Sequence, residues 1–285
     1  MKFYWCRGAM VVLVCGVALA GSLSAQTSRG DSPKAALDQN GFTWTETYEG
    51  SGNSTGFFSD INSTAGYAFT KNFSVETGVA YAFLQPTTSK TGTTATSGFE
   101  DPHAGVRYAA QGNVLNYATG LTGTFPVAST AKGLSTGEFT YDWTNHVDHA
   151  VGVVTPFADI GVGNSISDTR FLHRPYVSLG ELAHFEGGVG FDLGDKFNVT
   201  MSGYGILPWG TQKIFMRGEM RVPGPVKGGT DLTRDDGLNL GADYQVTRIV
   251  DLNAGYSRSV YNSVNTFSFG IGFNVAKLLQ ARSGD

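Results

Sequence analysis

Cysteine is almost missing from this chain of 285 residues: there are two, Cys6 and Cys15, and both lie in the first 25 residues. Cutting that segment away would leave no disulfide, no reactive thiol and no thiolate metal site. Val12, Leu13 and Val14 precede Cys15 without the small residue that lipid modification requires there, so a lipoprotein is not expected. Charge is also scarce, at 15% of residues, which is low for a soluble domain. Beyond residue 25 no apolar run reaches the roughly 18 residues of a spanning helix. A chain that crosses a membrane without such a helix must close a β-barrel. Basic residues are too few for a nucleic-acid footprint: once Lys2 and Arg7 leave with the first segment, 20 become 18 against 24 acidic residues, a net charge of −6.

The first segment has the form of a secretory signal. Lys2 and Arg7 make a positive start, residues 8–20 are apolar but too short to span, and small residues follow, with cleavage after Ala20 or Ala25. The expected organisation is a signal peptide over 1–25, a polar periplasmic N-terminal tail over 26–40 with one short helix-compatible stretch, a barrel over 41–275 and a C-terminal tail over 276–285.

Glycine is abundant, at 39 residues, and aromatics make up 12%. Their arrangement has a period of two. Phe73, Val75, Thr77, Val79, Tyr81 and Phe83 alternate with Ser74, Glu76, Gly78, Ala80 and Ala82. Leu238, Leu240, Ala242, Tyr244 and Val246 alternate with Asn239, Gly241, Asp243 and Gln245, and Phe267, Phe269, Ile271, Phe273 and Val275 with Ser268, Gly270, Gly272 and Asn274. The polar face carries Gly, Ala, Ser, Thr and Asn rather than Lys and Glu. That suits an enclosed interior better than the solvent side of a soluble sandwich. Twelve strands are expected, near 42–49, 57–69, 73–84, 99–110, 114–125, 138–145, 150–162, 176–192, 197–209, 237–246, 250–260 and 264–275; counts of ten or fourteen stay open. Pro156 makes the seventh the weakest.

Connection lengths alternate. Short turns at 70–72, 111–113, 193–196 and 247–249 face long polar loops at 85–98, 126–137, 164–175 and 210–236. In an outer-membrane barrel the short turns are periplasmic and the long loops extracellular. The fold class expected is therefore an all-β, transmembrane, antiparallel up-and-down barrel. Phe69, Phe73, Phe83, Tyr108, Tyr117, Phe125, Phe191, Phe197 and Trp209 sit where interfacial aromatic girdles belong. The polar parity predicts a lumen lined by Asp60, Asn62, Glu76, Asp101, His103, Arg107, Asn116, Asp142, His184, Glu186, Asn239, Asp243, Asp251 and Asn253.

Several segments resemble the outer-membrane barrel family of transporters of the phenol-degradation meta-pathway type. Gly98-Phe99-Glu100-Asp101-Pro102-His103-Ala104-Gly105-Val106-Arg107-Tyr108 resembles its motif of an acidic turn, a glycine and an aromatic. Thr124-Phe125-Pro126-Val127-Ala128-Ser129, continuing through Gly133-Leu134-Ser135-Thr136-Gly137, resembles its Pro-led loop. Tyr176-Val177-Ser178-Leu179-Gly180-Glu181 resembles a later strand. The likeness runs over residues 57–275, with Pro126-Val127-Ala128 where the family has a Pro-Thr-Gly step. It implies transport of small, often aromatic, compounds.

Catalysis is not expected. Barrel lipid hydrolases resemble one another in a His followed two residues on by Ser; after His103, His146, His149, His173 and His184 stand Gly105, Asp148, Val151, Pro175 and Glu186. His173 with Asp168 is the one loop pair of the protease kind, and it has no second pair. His184 with Glu186, and Asp101 with His103, are two-ligand sets and too small for a metal site. His146, Asp148 and His149 are expected at a solvated periplasmic turn. No cofactor or metal is expected. The expected partners are outer-membrane lipid and lipopolysaccharide, the barrel-assembly machinery and a small-molecule solute, with no nucleic acid. The 210–236 loop, with Lys213, Arg217, Arg221, Lys227 and Arg234, would constrict the bore, clamp lipopolysaccharide phosphates or stay solvated. Three functions stay open: a passive channel, a structural or adhesive barrel with a closed lumen, and a soluble β-sandwich module.

Overall fold

The structure is a computed structural model. It describes residues 41–53, 56–86, 95–165, 176–216, 226–228, 233–261 and 263–283. The expected signal peptide and N-terminal tail lie outside the described residues, as do His173 and Asp168.

Alternating sequences form strands here because each can give its apolar parity to one medium and its polar parity to another. The strands are β1 (Gly41–Asn53), β2 (Gly56–Ala68), β3 (Phe73–Pro86), β4 (Thr96–Phe99), β5 (His103–Ala110), β6 (Asn116–Thr124), β7 (Thr140–Asp148), β8 (Val154–Ser165), β9 (Tyr176–Asp192), β10 (Phe197–Pro208), β11 (Gln212–Met216), β12 (Val226–Gly228), β13 (Asp235–Gln245), β14 (Val250–Ser259) and β15 (Val264–Asn274). All belong to one antiparallel sheet. Twelve of them close a barrel, running from β1 through β3, then β5 to β10, then β13 to β15. The seam is β1 on β15, from Thr45 opposite Asn274 to Gly52 opposite Phe267. Closure leaves no sheet edge, so the backbone can sit in hydrocarbon with its polar groups paired. A single closed sheet with apolar residues outside excludes the sandwich. No described helix is long and apolar enough to cross a membrane.

The two parities separate cleanly. Ile160, Met201, Leu238, Leu240, Phe267 and Phe269 are exposed on the outer wall, while Asp60, Asn62, Ser202, Asn239, Ser257 and Thr266 are buried on the inner one. Outward polar groups are satisfied sideways along the wall. Trp143 Nε1 donates to Thr119 Oγ1 at 2.9 Å, Tyr117 Oη donates to Asn145 Oδ1 at 2.7 Å, and the outward Glu46 accepts from Trp44 Nε1 at 2.9 Å. An outward glycine can also serve as a seat: Phe185 lies over Gly205, its in-register partner, where a Cβ would strike the ring.

The short turns are built by local chemistry. Thr70 Oγ1 accepts the backbone N–H groups of Asn72 and Phe73, and Thr247 Oγ1 accepts those of Ile249 and Val250. Gly152 and Gly194 hold left-handed turn positions at φ 64° and 91°.

Three expectations need correction. The expected strand 99–110 is two pieces, β4 and β5, broken around Asp101 and Pro102 and both paired with β3. β7 runs to Asp148, so His146 and Asp148 are wall residues rather than turn residues. Pro156 does not interrupt β8; it is exposed on the outer parity near the strand's start. After β15 the chain turns into a helix, α1 (Val275–Ser283), whose first turn is capped by Asn274 Oδ1 accepting the Lys277 N–H at 2.9 Å. Within 210–236, the described pieces β11 and β12 extend the β9 wall as a hairpin rather than entering the bore.

Candidate functional site

Register puts the polar residues of neighbouring strands side by side. Ala118, His146, Asp159, Glu186 and Tyr204 are successive partners across β6, β7, β8, β9 and β10, all on the inner parity. His146 Nδ1 lies 2.8 Å from Asp159 Oδ1, and its Nε2 lies 3.1 Å from Asp148 Oδ2. The ring donates to both only with a proton on each nitrogen. Asn116 Nδ2 donates to the other oxygen of Asp148 at 2.7 Å.

One row higher, His184 Nε2 reaches Asp142 Oδ1 at 2.8 Å although β8 stands between their strands. The gap is bridged over Gly161, whose missing side chain would occupy the imidazole's place. Gly163 opens the same space for Asp142 itself. Thr144 Oγ1 holds Asp142 Oδ2 at 2.7 Å. Toward β14, Glu186 Oε1 accepts the Ser202 hydroxyl and Asn239 Nδ2, and Asn239 Oδ1 accepts Ser257 Oγ at 2.8 Å. Side-chain bonds thus bracket the inner wall from β6 to β14.

Inward carboxylates dominate the barrel strands: Glu49, Asp60, Glu76, Asp142, Asp148, Asp159, Glu186, Asp192, Asp235, Asp243 and Asp251 share that parity with three histidines and one arginine, Arg107. The inner parity therefore carries an excess of acidic groups.

The remaining expected lumen residues are scattered around the ring. Asp60 Oδ1 accepts Asn62 Nδ2 at 2.7 Å. Glu76 lies across Gly105. His103 is buried on β5 and its Nε2 has no hydrogen-bond partner. Arg107 faces inward opposite Gly120. Asp243 and Asp251 sit low on β13 and β14, Asp251 leaning over Gly272 and Asn253 over Gly270. Asp101 is the exception. It lies in the break between β4 and β5, and its Oδ1 accepts the backbone N–H groups of Val127 and Ala128 at 2.9 and 2.8 Å. It anchors a loop instead of lining the bore.

That loop is the feature periodicity missed. After its anchor it makes a 3-10 turn, Thr130–Lys132, ended by Gly133 at φ 67°. It then turns Leu134 onto the inward residues Phe58, Ala82 and Leu84, with Ala128 alongside. Leu182, Tyr204 and Ile206 form a second inward apolar cluster on β9 and β10. The two clusters stand half a turn of the barrel apart, both in the half that carries the long loops. Lys213 on β11 pairs with Glu138 at 2.6 Å, tying the hairpin to the same loop.

The aromatic residues follow the rims. Phe69 and Phe73 approach at 6.0 Å, Phe125 and Phe139 at 5.5 Å, Tyr81 and Phe83 at 5.0 Å, and Phe197 and Tyr244 at 6.5 Å. Tyr108 is exposed on the outer parity, Tyr117 and Phe191 are half-buried there, and Trp209 is exposed just past β10.

No protein-family model and no curated protein matches the sequence. Solved structures do. An outer membrane channel from Pseudomonas putida F1 superposes with a TM-score of 0.58 at 12% identity, covering 87% of this chain and 100% of that one. The chain shares the barrel fold of that channel. NanC porin superposes at 0.47 with 10% identity over 81% of this chain and 98% of its own, and KdgM porin, solved in complex with disordered oligogalacturonate, at 0.47 with 6% identity over 80% and 98%. Among the described residues no group of three His, Cys, Asp or Glu side chains could hold a metal ion.

Of these features, the wall parity and most inward acids were readable from alternation. His146, Asp148 and Asp159 were not placed inward, although Asp142, Thr144, His146 and Asp148 hold the polar parity of one strand without a break. Following that run past residue 145 would have found His146 and Asp148; Asp159 stands on another strand, β8.

Proposed function

We propose that the chain is a passive outer-membrane channel for small solutes, exported by residues 1–25 and entering the periplasm with 26–40 as its N-terminal tail. The observation that carries this reading is a closed barrel whose inner wall is a hydrogen-bonded row of ionisable side chains and whose outer wall is apolar. Its partners are membrane lipid and lipopolysaccharide outside, the assembly machinery during insertion, and a solute within. It works without a cofactor, and solute passage needs no catalytic residue. The apolar clusters beside Leu134 and Ile206 suit a solute with an apolar part, as the family resemblance implies for aromatic compounds. The test is planar-bilayer conductance of refolded protein in a salt gradient. Ohmic steps with a cation-selective reversal potential are expected. Correctly folded, heat-modifiable protein that stays silent would overturn the reading.

One observation favours a second reading, a structural barrel with a closed polar core. Ser257 and Thr266 are 0% exposed and Asp235 2% exposed on the inner wall. Silence in the same bilayer measurement is its expected result.

A further inference from the structure

Asp159 on β8 and Glu186 on β9 are direct cross-strand partners, both on the inner parity. Like charges at such positions repel. The imidazoles beside them are already engaged: His146 holds Asp159 Oδ1 and Asp148, and His184 holds Asp142. With both imidazoles charged and all four carboxyl groups ionised, Asp142, Asp148, Asp159 and Glu186 leave an excess of negative charge.

A second observation points to a missing partner. Asp159 is only 7% exposed, and its Oδ2 is buried with no hydrogen-bond partner. A buried carboxylate oxygen without a donor is costly and calls for a cation or donor beside it. A metal ion fits poorly, since no three His, Asp or Glu side chains among the described residues converge closely enough. An ammonium group fits better, with three N–H donors that need no fixed coordination geometry. Phe157, two residues along the same face, stacks on His146 with ring centroids 6.1 Å apart and offers an aromatic surface to an alkyl chain or the cation itself.

We infer that the Asp159–Glu186 pair is a mid-lumen binding site for the ammonium group of a small primary amine. The inference deepens the channel reading by naming a solute class, and it rests on that reading insofar as a solute must reach the middle of the lumen.

The test is isothermal titration of the refolded, detergent-solubilised protein with butylammonium chloride, with butanol as the uncharged control. Saturable binding of butylammonium and none of butanol is expected. Asp159→Asn should weaken binding roughly tenfold or more, as loss of a charge-assisted hydrogen bond does. Glu186→Gln is the second variant, so that a folding failure in one leaves the other to decide, with heat-modifiable migration as the folding check. Absence of binding to the unmodified protein, equal binding of butanol, or binding unchanged in the folded variants would overturn the site. Conductance without binding would remove the site and leave the channel; binding without conductance would keep the site and remove the channel.

Discussion

The inner wall has two arcs with opposite chemistry. From β6 to β10 it is built from Asp, Glu and His joined in pairs, with Gly161 and Gly163 giving them room to reach across a strand. From β14 through β15 to β1 it is mainly hydroxyls: Ser257, Ser259, Thr266, Ser268 and Ser51, all buried. Fold, parity and burial are shared, so the difference isolates charge. In the first arc His146 and His184 pair with Asp148, Asp159 and Asp142, and Glu186 is held by Ser202 and Asn239. In the second, Thr266 Oγ1 and Ser268 Oγ are buried with no hydrogen-bond partner at all.

The strongest way to break the comparison is His146→Ala. It strips one imidazole from two carboxylates, Asp148 and Asp159. Removing one partner of a buried ion pair costs about 3–5 kcal/mol, and urea unfolding of refolded protein in lipid should show a loss of that size. A loss below about 1 kcal/mol would be that of a solvent-exposed pair, and the charged arc would then be a wet surface rather than a paired one.

The next test moves to the outer wall. Leu240 lies mid-strand on β13, exposed between Met201 and Tyr256. Leu240→Arg should destabilise the barrel by about 2–4 kcal/mol in a bilayer. The same substitution should be nearly neutral in a protein whose outer wall met water, so the measurement separates lipid from solvent as the medium outside.

How much of this was legible in sequence depends on what spacing encodes. A period of two assigns a face to every residue of a regular strand, so Glu76, Asp142, His184 and Glu186 were placed inward without coordinates. Strand length is set by where pairing stops, which no periodicity records, and β7 therefore outran its expected end and brought His146 and Asp148 onto the wall. Asp101 shows the converse. It matches the alternation of His103, yet Pro102 has no N–H to give the ladder, and the freed carboxylate caps a loop instead. Leu134 lay beyond reach, because a loop residue's contacts depend on the tertiary path of the loop and its own neighbours carry no period.

Asp101 gives the third prediction. Asp101→Ala removes two hydrogen bonds from the start of the loop that seats Leu134. A loss of about 1–2 kcal/mol is expected, together with faster protease cleavage between residues 126 and 139. Unchanged cleavage would mean that Leu134 and the Lys213–Glu138 pair hold the loop without its anchor.

The smallest effect sharpens the comparison most, because it lies inside the hydroxyl arc. Ser257 Oγ donates to Asn239 Oδ1 at 2.8 Å, and Asn239 in turn donates to Glu186, so this serine is the far end of the charged arc's network. Ser257→Ala should cost about 1 kcal/mol, the value of one buried neutral hydrogen bond. Ser268, also on the inner parity, has no hydrogen-bond partner for its hydroxyl. Ser268→Ala removes a buried oxygen and no bond, so its expected effect is near zero or slightly stabilising. Both variants unfolded in the same urea series hold burial and side-chain size fixed, and the gap between them measures the bond alone. Equal effects would mean that the network ends at Asn239 and that the two arcs meet one strand earlier, between β13 and β14.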